Sequence, residues 1–317
     1  VKPLPEAYWT KLFNIKTLEQ ASDVDKFFPY DKRGLAYIGS HVEVAKALGF
    51  EAINPEPLLN YFHYHRGYKT AYEQACLRQS NYLAVKAHKV AKSSFLKGDT
   101  EFEIQNAYLN TIGYTENETP YDNIVAINKN CSILHYTGLD RTSPQINQSF
   151  LIDAGANFNG YAADITRTYS FRQDKFYELI SRMDVLMLNC VEGLKPGLSY
   201  VDIHIAAYEE IAKVLVEFGF INVTADTAIE SGIVSTFFPH GVGHHLGLQV
   251  HDVGGFMADE RGTNINVPKA HPFLRTSRVI EAGQVFTIEP GLYFIDSLLS
   301  NLKESVHADK INWPKVD

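Results

Sequence analysis

Residues 150–168 read Phe150-Leu-Ile-Asp153-Ala-Gly-Ala-Asn-Phe-Asn-Gly-Tyr-Ala-Ala-Asp164-Ile-Thr-Arg-Thr, and this stretch decides the fold. Two apolar runs surround the turn-forming residues 157–160, which predicts two antiparallel strands joined by a hairpin turn. A turn centred in the middle of residues 157–160 places Asp153 opposite Asp164, on one face of the pair. The strand pair would therefore present two carboxylates side by side.

These two aspartates each interrupt an otherwise apolar strand, and two facing carboxylates repel each other. A cation between Asp153 and Asp164 would remove that repulsion. In an isolated hairpin the alternative is that one aspartate caps the turn while the other pairs with Arg167. The sequence outside the hairpin is needed to choose between these interpretations.

Histidines cluster farther along the chain, in residues 239–252. The cluster consists of His240, His244, His245 and His251, and it is interrupted by Gly241, Gly243 and Gly247. The glycines argue against a helix and favour a backbone that passes close to another group. A lone histidine would be interpreted as structural. Four imidazoles in one short segment are hard to explain as packing, because each ring needs its own polar partner once it is buried. This group therefore indicates a site.

Glu289 lies within residues 285–294, a run that otherwise predicts a fully buried strand. A buried carboxylate costs several kcal/mol unless it is protonated, paired or bound to a metal. A salt bridge to an Arg or Lys would explain Glu289 alone. Together with the two aspartates and the histidine cluster, metal binding is the economical explanation.

This ligand chemistry favours a hard or borderline divalent ion. Mostly oxygen ligands with one imidazole suit Mn²⁺ better than a thiolate-type zinc site. Several carboxylates can bridge two ions about 3.5–4 Å apart, which orient and deprotonate a shared water for hydrolysis. The sequence therefore predicts a hydrolytic site with two metal ions.

The rest of the chain predicts an α+β protein with two domains. Residues 1–66 indicate the remainder of a small α/β N-terminal domain, with a strand at 34–39 and a helix at 42–48. Residues 67–317 indicate a larger catalytic domain, which opens with a long helix over 69–96. A length of 317 residues is consistent with two domains.

The larger domain contains a repeated pattern. Capping boxes at Thr100…Glu103 and Ser199…Asp202 each restart a helix and lead to a strand-like segment with histidine. These strand-like segments are residues 124–136 and 237–251. Capping boxes are common, so coincidence stays open; two similar halves about an approximate two-fold axis would place a site at their junction.

Composition argues against several classes of function. The net charge is −8 and no block of Lys or Arg could follow a phosphate backbone, so no nucleic acid partner is expected. No apolar run is long enough to cross a bilayer, and no signal peptide opens the sequence. Three scattered cysteines without a CxxC motif fit a reducing compartment, so we expect a cytoplasmic protein that does not bind membranes.

The order of these motifs resembles the pita-bread metallopeptidases. The matching residues are Asp153, Asp164, His240-Gly-Val-Gly-His244, Val250-His251-Asp252 and Thr287-Ile-Glu289-Pro-Gly. The resemblance covers the chain from about residue 69 to the end, and the motifs together are highly specific. Residues 1–66 and 296–302 further resemble the bacterial Xaa-Pro dipeptidases, or prolidases, which are also called organophosphorus acid anhydrolases.

The resemblance implies a dinuclear centre in a pita-bread catalytic domain with pseudo-two-fold halves. Asp153, Asp164, His244 and Glu289 would bind two divalent ions, most readily Mn²⁺, with Asp164 bridging them. Glu289 would also take the proton from the bridging water as it attacks the scissile carbonyl.

The resemblance also implies residues that contact the substrate. His240 and His251 would hold the substrate and stabilise the tetrahedral intermediate, and His135 would act from the first half. Tyr121 and Tyr200 would form walls of the pocket. His245 matches no functional position and is expected to be structural.

One feature of the resembled family is not found. Its last metal ligand is a bridging glutamate on a closing strand with the pattern Gly-Gly-x-Arg-x-Glu-Asp, and the 317 residues end at Asp317 without that pattern. Glu304 lacks this context and is not a credible substitute. We therefore expect a chain truncated at both ends, because residues 1–66 also match only the latter part of an N-terminal domain.

The activity implied by the resemblance is hydrolysis of the Xaa-Pro bond of dipeptides by metal-activated water, with side activity on organophosphorus triesters. Two alternatives stay open: an aminopeptidase P that acts on longer Xaa-Pro peptides, and a catalytically inactive pita-bread domain kept as a binding module. The resemblance suggests a homodimer, which nothing in the residues supports or excludes.

Overall fold

The computed structural model describes Lys26 and residues 33–316. The chain divides into two compact units, Val1–Asn60 and Tyr61–Asp317. Among the described residues, every helix is too short or too polar to cross a bilayer.

The first unit contains the predicted strand and the predicted helix. Strand β1 (Ala36–Tyr37), helix α1 (Val42–Ala47) and strand β2 (Ala52–Ile53) follow one another, and the two strands pair in parallel. Gly49 ends the helix at φ 80°, a left-handed conformation that glycine adopts without steric cost. Helix α2 (Glu56–His65) comes next along the chain.

The second unit opens with two long helices, α3 (Ala71–Lys97) and α4 (Glu101–Ile112). Helix α3 confirms the helix predicted over residues 69–96, and it ends at Gly98 with φ 91°. The predicted capping box at Thr100 is present, since its side chain accepts from the Glu103 backbone while the Glu103 carboxylate accepts from the Thr100 N–H.

Antiparallel strands follow these helices. Strands β3 to β7 are Ile124–Ile127, Ser149–Asp153, Asn157–Phe158, Tyr161–Ala162 and Thr166–Ser170. The sheet order is β3-β4-β7, and β5 pairs with β6 at the tip of the hairpin. Phe150 and Ile152 of β4 are fully buried against Phe95 and Tyr108 of the two helices. Burying such side chains contributes about 1.5–3 kcal/mol each.

The hairpin is present, but its register differs from the predicted one. The turn residues are Asn159 and Gly160, with φ of 51° and 85°, as in the type I′ turn that Asn-Gly favours. Asp153 therefore lies opposite Thr166 and not opposite Asp164. Because side chains alternate along a strand, Asp164 is a diagonal neighbour of Asp153 on the same face.

The second half repeats the helix pair of the first. Helices α5 (Lys175–Gly193) and α6 (Tyr200–Glu217) are joined through the predicted capping box at Ser199 and Asp202. The remaining helices are α7 (Ala225–Glu230), α8 (Val234–Phe237), α9 (Asp296–Lys303) and α10 (Trp313–Val316). This half has its own apolar core around α6, so each helix pair supports one group of site residues.

Three segments predicted as strands are largely irregular. Only Ile124–Ile127 of residues 124–136 is a strand, and a short 3-10 helix, Asn128–Ser132, follows it. Residues 237–251 and 285–294 contain no strand, and they pair through isolated backbone bonds such as Glu289 N–H to Val242 O at 2.8 Å. Gly243, with φ 154°, has a backbone conformation that residues with a side chain rarely adopt, and it interrupts regular pairing. The 285–294 segment is half-buried, contrary to the prediction of full burial.

Candidate metal centre

Three predicted ligands converge at one point of the second unit. Asp164, His244 and Glu289 each offer one ligand atom, and these atoms lie within 4.8 Å of one another. The Nε2 atom of His244 is 3.3 Å from Asp164 Oδ2 and 3.2 Å from Glu289 Oε1. A hairpin, a glycine-rich loop and the 285–294 segment therefore bring their polar side chains together.

Hydrogen bonds fix the orientation of the His244 ring. Its Nδ1 lies 2.9 Å from the backbone oxygen of His245 and donates to it, which leaves Nε2 facing the carboxylates. The His244 N–H donates to Thr287 Oγ1 at 3.0 Å, and the Thr287 hydroxyl donates to Glu289 Oε1 at 2.8 Å. One threonine thus links two of the predicted ligands.

Gly243 lets the 237–251 loop approach the 285–294 segment closely. A Cβ atom at this position would overlap both the Thr287 carbonyl oxygen and the Tyr200 hydroxyl, so only glycine fits. Tyr200 is itself fully buried, and its hydroxyl donates to the Thr287 carbonyl at 2.8 Å. The structure thus gives Tyr200 a role in holding the backbone, and its contact with substrate stays a prediction.

Tyr121 joins Asp153 to the cluster. Its hydroxyl oxygen lies 2.8 Å from Asp153 Oδ1 and 3.0 Å from Asp164 Oδ1, so it can donate to either carboxylate. Gly155 makes room for the ring, because a Cβ there would lie 2.9 Å from Tyr121 Cε1. Burial, together with the charges of both aspartates, raises the pKa of Tyr121 well above its ordinary value. The hydroxyl therefore stays a donor.

The cluster carries more negative than positive charge. Burial, followed by the charge of Asp164, raises the pKa of Asp153 to about 7. Burial alone would lower the pKa of His244, but its bonds to Asp164 and Glu289 outweigh it and raise the pKa to about 10. Burial would raise the pKa of Glu289, yet the contact with His244 lowers it. A proton on His244 is thus held by carboxylates, as a bound cation would be.

This donor set fits a divalent ion. Carboxylate oxygens with one imidazole nitrogen suit hard or borderline ions such as Mn²⁺. The excess negative charge at Asp153, Asp164 and Glu289 would be neutralised by that ion, and the His244 Nε2 would be free to bind it after losing its proton.

Two further histidines flank the cluster. The His240 Nδ1 donates to the Gly241 carbonyl at 2.7 Å, so its Nε2 accepts from the Tyr293 hydroxyl at 2.9 Å. The His251 ring is exposed, and its centroid lies 4.3 Å from that of His244. Burial is the main factor that lowers the pKa of His240, and partial burial against His244 is the main factor that lowers the pKa of His251. Both rings are therefore neutral at pH 7.

Comparison with known proteins gives this cluster a family. Residues 75–309 match the family described as "Metallopeptidase family M24", and residues 1–64 match "Xaa-Pro dipeptidase, N-terminal domain". The chain belongs to metallopeptidase family M24. The family predicted from the order of the motifs is confirmed, and with it the hydrolase class.

Several relatives of this M24 chain are named Xaa-Pro dipeptidase. The protein named Xaa-Pro dipeptidase from Colwellia psychrerythraea is 73% identical over 317 residues, which are 100% of this chain and 72% of that relative. The protein of the same name from Pseudoalteromonas haloplanktis is 55% identical over 314 residues, covering 99% of this chain and 71% of the relative.

Solved structures support the fold. The low-pH form of aminopeptidase P from E. coli matches with a TM-score of 0.69 and 25% identity, covering 86% of this chain and 63% of that chain. A zinc-substituted form in complex with product matches with a TM-score of 0.61 and 29% identity, covering 77% of this chain and 52% of that one. The predicted α+β pita-bread fold is confirmed.

Two other predicted positions of this M24 chain have less direct evidence. His135 lies on an exposed loop with φ 54°, and no described contact joins it to the cluster. His245 is buried with its ring against Phe286, as expected for a structural residue. Burial, with the charges of Lys69 and Arg278, lowers the pKa of His245 to about 4. His135 therefore stays a prediction.

The sequence did not point to several residues that act at the cluster. Thr287 and Tyr293 flank Glu289 in the chain, two and four residues from it, so their proximity was the available signal. Arg275 is exposed, and its charge contributes to the lowered pKa of both His240 and His251. Its loop has no recognisable pattern, so no sequence signal could have found it.

Proposed function

We propose that this protein hydrolyses the Xaa-Pro bond of dipeptides, with two divalent ions, most readily Mn²⁺, bound by Asp153, Asp164, His244 and Glu289. The observation that carries the proposal is the convergence of two carboxylates on the His244 Nε2, at 3.3 and 3.2 Å. Relatives that are 73% and 55% identical are named Xaa-Pro dipeptidases, which supports the substrate class. When bound, the ions supply a Lewis acid and lower the pKa of water.

Glu289 is the proposed proton acceptor. Its lowered pKa keeps the carboxylate ionised at pH 7, and its side chain is 36% exposed, so water can reach it. The contacts with Thr287 and His244 both fall on Oε1, and the proposal assigns the proton from the attacking water to Oε2. Thr287 would hold the carboxylate in place during this transfer.

The neutral histidines are the proposed substrate contacts. His251 is exposed beside His244 and would donate a hydrogen bond to the scissile carbonyl oxygen, which becomes an oxyanion in the intermediate. His240 would contact the same substrate from the Tyr293 side. His135, Tyr121 and Tyr200 would form the remaining walls, with Tyr121 also holding the two aspartates.

Arg275 is proposed to select dipeptides. An Xaa-Pro dipeptide carries its free carboxylate on the residue directly after the scissile bond, and a guanidinium pairs well with a carboxylate. Arg275 lies near enough to His240 and His251 for its charge to act on both. A longer peptide would place an uncharged amide at that point and would bind less well.

The direct test uses the protein expressed from its complete gene, with Leu-Pro and Leu-Pro-Gly as substrates and Mn²⁺ added. We expect Mn²⁺-dependent release of proline from the dipeptide and much slower cleavage of the tripeptide. Arg275→Met should narrow the difference in cleavage rate between the two peptides, and Lys269→Met, which replaces an exposed lysine close to Arg275 in the sequence, is the control. No hydrolysis of Leu-Pro by a protein that binds Mn²⁺ would exclude the proposed activity.

A second candidate function is aminopeptidase P activity, because solved structures of that enzyme share the fold with TM-scores of 0.61 and 0.69. Faster cleavage of Leu-Pro-Gly than of Leu-Pro would favour it. An inactive binding module is the third candidate, and it would bind no stoichiometric Mn²⁺ in a calorimetric titration.

The proposal extends to side activity and to cellular context. An attacked phosphotriester resembles the tetrahedral intermediate of peptide hydrolysis in shape and charge, so slow hydrolysis of a nitrophenyl phosphotriester is expected. The described cysteines Cys76, Cys131 and Cys190 are free thiols, in keeping with a cytoplasmic location. A homodimer is also proposed, and sedimentation velocity would test it.

A further inference from the structure

The loop that carries His251 is fixed by a buried ion cluster. The Asp252 side chain is 1% exposed, and its Oδ2 lies 2.8 Å from the Nζ atom of Lys69, whose side chain is also 1% exposed. The Asp252 Oδ1 lies 2.7 Å from the Arg66 Nη2. We call Arg66, Lys69 and Asp252 the Asp252 anchor.

The cations of this anchor are themselves held in place. The Lys69 ammonium also donates to the Arg66 carbonyl at 2.7 Å, so one short turn supplies both positive charges. The Lys69 N–H donates to the Gly283 carbonyl at 2.7 Å, and the Gln74 amide donates to the Lys69 carbonyl at 2.9 Å. The turn cannot move without breaking these bonds.

The backbone of the loop closes on the anchor. The Asp252 N–H donates to the His245 carbonyl at 2.9 Å, so the residue after His251 is tied to the residue after His244. A Cβ at Gly247 would overlap Asp252 Oδ2 and would lie 2.8 Å from Lys69 Nζ. The loop thus has room for the anchor only because residue 247 is glycine.

Adjacent side chains of this loop point in opposite directions. Asp252 points into the protein, whereas His251 is exposed and its ring packs edge to face against His244 at 4.3 Å. Fixing Asp252 therefore fixes the backbone from which the His251 ring extends. A rotation of that backbone would move the ring away from the metal ligands.

Stability alone is a poor explanation for the Asp252 anchor. Replacing a buried ion pair by apolar residues of similar volume is often neutral or stabilising, because desolvation offsets the attraction. A pair of charged hydrogen bonds does, however, define direction better than apolar packing. The anchor therefore contributes orientation above all.

We propose that Lys69 is a positioning residue for His251, acting through Asp252 with the help of Arg66. The proposal rests on the proposed function, in which His251 donates to the scissile carbonyl. Lys69 touches neither substrate nor metal in this arrangement, so its effect on catalysis passes through the orientation of one imidazole ring.

The first test compares Lys69→Met with the control Lys86→Met, an exposed lysine on helix α3. On Leu-Pro, Lys69→Met should lower kcat about tenfold and change KM by less than about threefold, because the lost contact strengthens in the transition state. The Lys86→Met protein should match the unsubstituted protein. Equal kcat values for Lys69→Met and the unsubstituted protein would overturn the proposal.

A double-mutant cycle separates positioning from general loss of structure. In a His251→Ala background, Lys69→Met should lower kcat by less than about twofold more, because the ring that it positions is absent. A full second tenfold loss would mean that Lys69 acts independently of His251, and the proposal would fail. If Lys69→Met does not fold, Arg66→Met replaces it, since Arg66 is 28% exposed and leaves the Lys69 bond intact.

A second measurement does not depend on activity. Hydrogen exchange of the peptide that covers residues 247–253 should be faster in Lys69→Met than in Lys86→Met, because the Asp252 carboxylate loses its Lys69 partner and the bond from the Asp252 N–H to the His245 carbonyl then opens more often. Unchanged exchange would overturn the proposal. If the unsubstituted protein does not cleave Leu-Pro, the proposed function fails, and the exchange result alone decides whether the anchor holds the loop.

Discussion

Two groups of charged side chains flank the same loop, and they are balanced in opposite ways. The candidate metal centre brings Asp164 and Glu289 to a single imidazole, that of His244, and the Tyr121 hydroxyl joins Asp153 to Asp164. The Asp252 anchor gives one carboxylate two cations. Asp252 of the anchor directly follows the exposed His251 in the chain, and the His251 ring packs against that of His244.

The difference in charge balance between the two groups indicates which of them has a structural role and which is suited to binding a cation. Charges in a poorly solvated region must be neutralised by a partner. The anchor supplies its partners from the chain, so it needs nothing from solution. The candidate metal centre has more carboxylates than cations, and burial, followed by the charge of Asp164, raises the pKa of Asp153 to about 7. Substitutions in the two groups should therefore have different consequences.

The largest effect is expected from His244→Ala. Removing the imidazole deletes a proposed metal ligand, and kcat/KM for Leu-Pro should fall about 10³-fold, equivalent to about 4 kcal/mol of transition-state stabilisation. Steady-state kinetics at several Mn²⁺ concentrations would measure it, with circular dichroism as a check of folding. A folded variant with near-normal kcat/KM would contradict the proposed role of His244 as a metal ligand needed for hydrolysis.

The next effect concerns the anchor. Asp252→Asn leaves Lys69 buried with one partner fewer, and breaking a buried pair in this way should lower the free energy of unfolding by about 3 kcal/mol. Urea denaturation with and without Mn²⁺ would measure it. Both cations that pair with Asp252 belong to the protein itself, so the decrease in the free energy of unfolding should be the same with and without Mn²⁺. A loss that Mn²⁺ reverses would place Asp252 in the metal centre instead.

A smaller effect is expected from pH in the metal-free protein. Asp153 has a pKa of about 7 when folded against an ordinary value of 3.8, so between these values the folded state binds more protons than the unfolded state. Stability from this group is therefore full at low pH and decreases as pH rises. From about pH 5 to about pH 7 the loss should be about 2 kcal/mol.

Other groups change with pH in the opposite sense, so the measured quantity is a difference. Burial lowers the pKa of His88 to about 4, so the contribution of His88 to the stability of the folded protein decreases as pH falls below 6.5. Comparing urea denaturation of Asp153→Asn with that of the unsubstituted protein cancels this contribution. Parallel pH profiles for the two proteins would contradict the raised pKa.

The smallest effect is expected at the hairpin tip. Gly160 has φ 85°, so Gly160→Ala should cost about 1 kcal/mol of stability and weaken Mn²⁺ binding by disturbing the hairpin that carries Asp164. Gly197→Ala is the matched control, because Gly197 has φ 94° and open space where a Cβ would lie. Calorimetry should show equal destabilisation of the two variants, but weaker Mn²⁺ binding for Gly160→Ala alone. Equal Mn²⁺ affinity of the two variants would show that the hairpin tip does not affect the candidate metal centre.

Local signals in the sequence predicted the helices well. Capping boxes at Thr100 and Ser199 and the glycine after α3 are short-range patterns, and the bonds that they imply form within a few residues. The hairpin was predicted for the same reason. Its register was wrong because the Asn-Gly pair, and not the middle of residues 157–160, forms the turn.

Long-range partners could not be predicted in this way. Lys69 and Asp252 are 183 residues apart, and nothing in the local pattern around either residue indicates the other. The exposed Arg275 was missed for the same physical reason. Residues such as Asp153 and Glu289 were found because a carboxylate within an apolar run is unusual, whereas a lysine at a helix start is not.

The length of the hairpin between Asp153 and Asp164 determines how the site responds to inserted residues. The same register holds at its base and at its tip, with Asp153 paired to Thr166 and Asn157 paired to Ala162. A single extra codon between the aspartates would turn Asp164 to the opposite face, whereas two at the tip would preserve it. The number of residues in this segment thus matters as much as the carboxylates themselves, because a one-codon insertion would remove a proposed ligand from the site without substituting any residue.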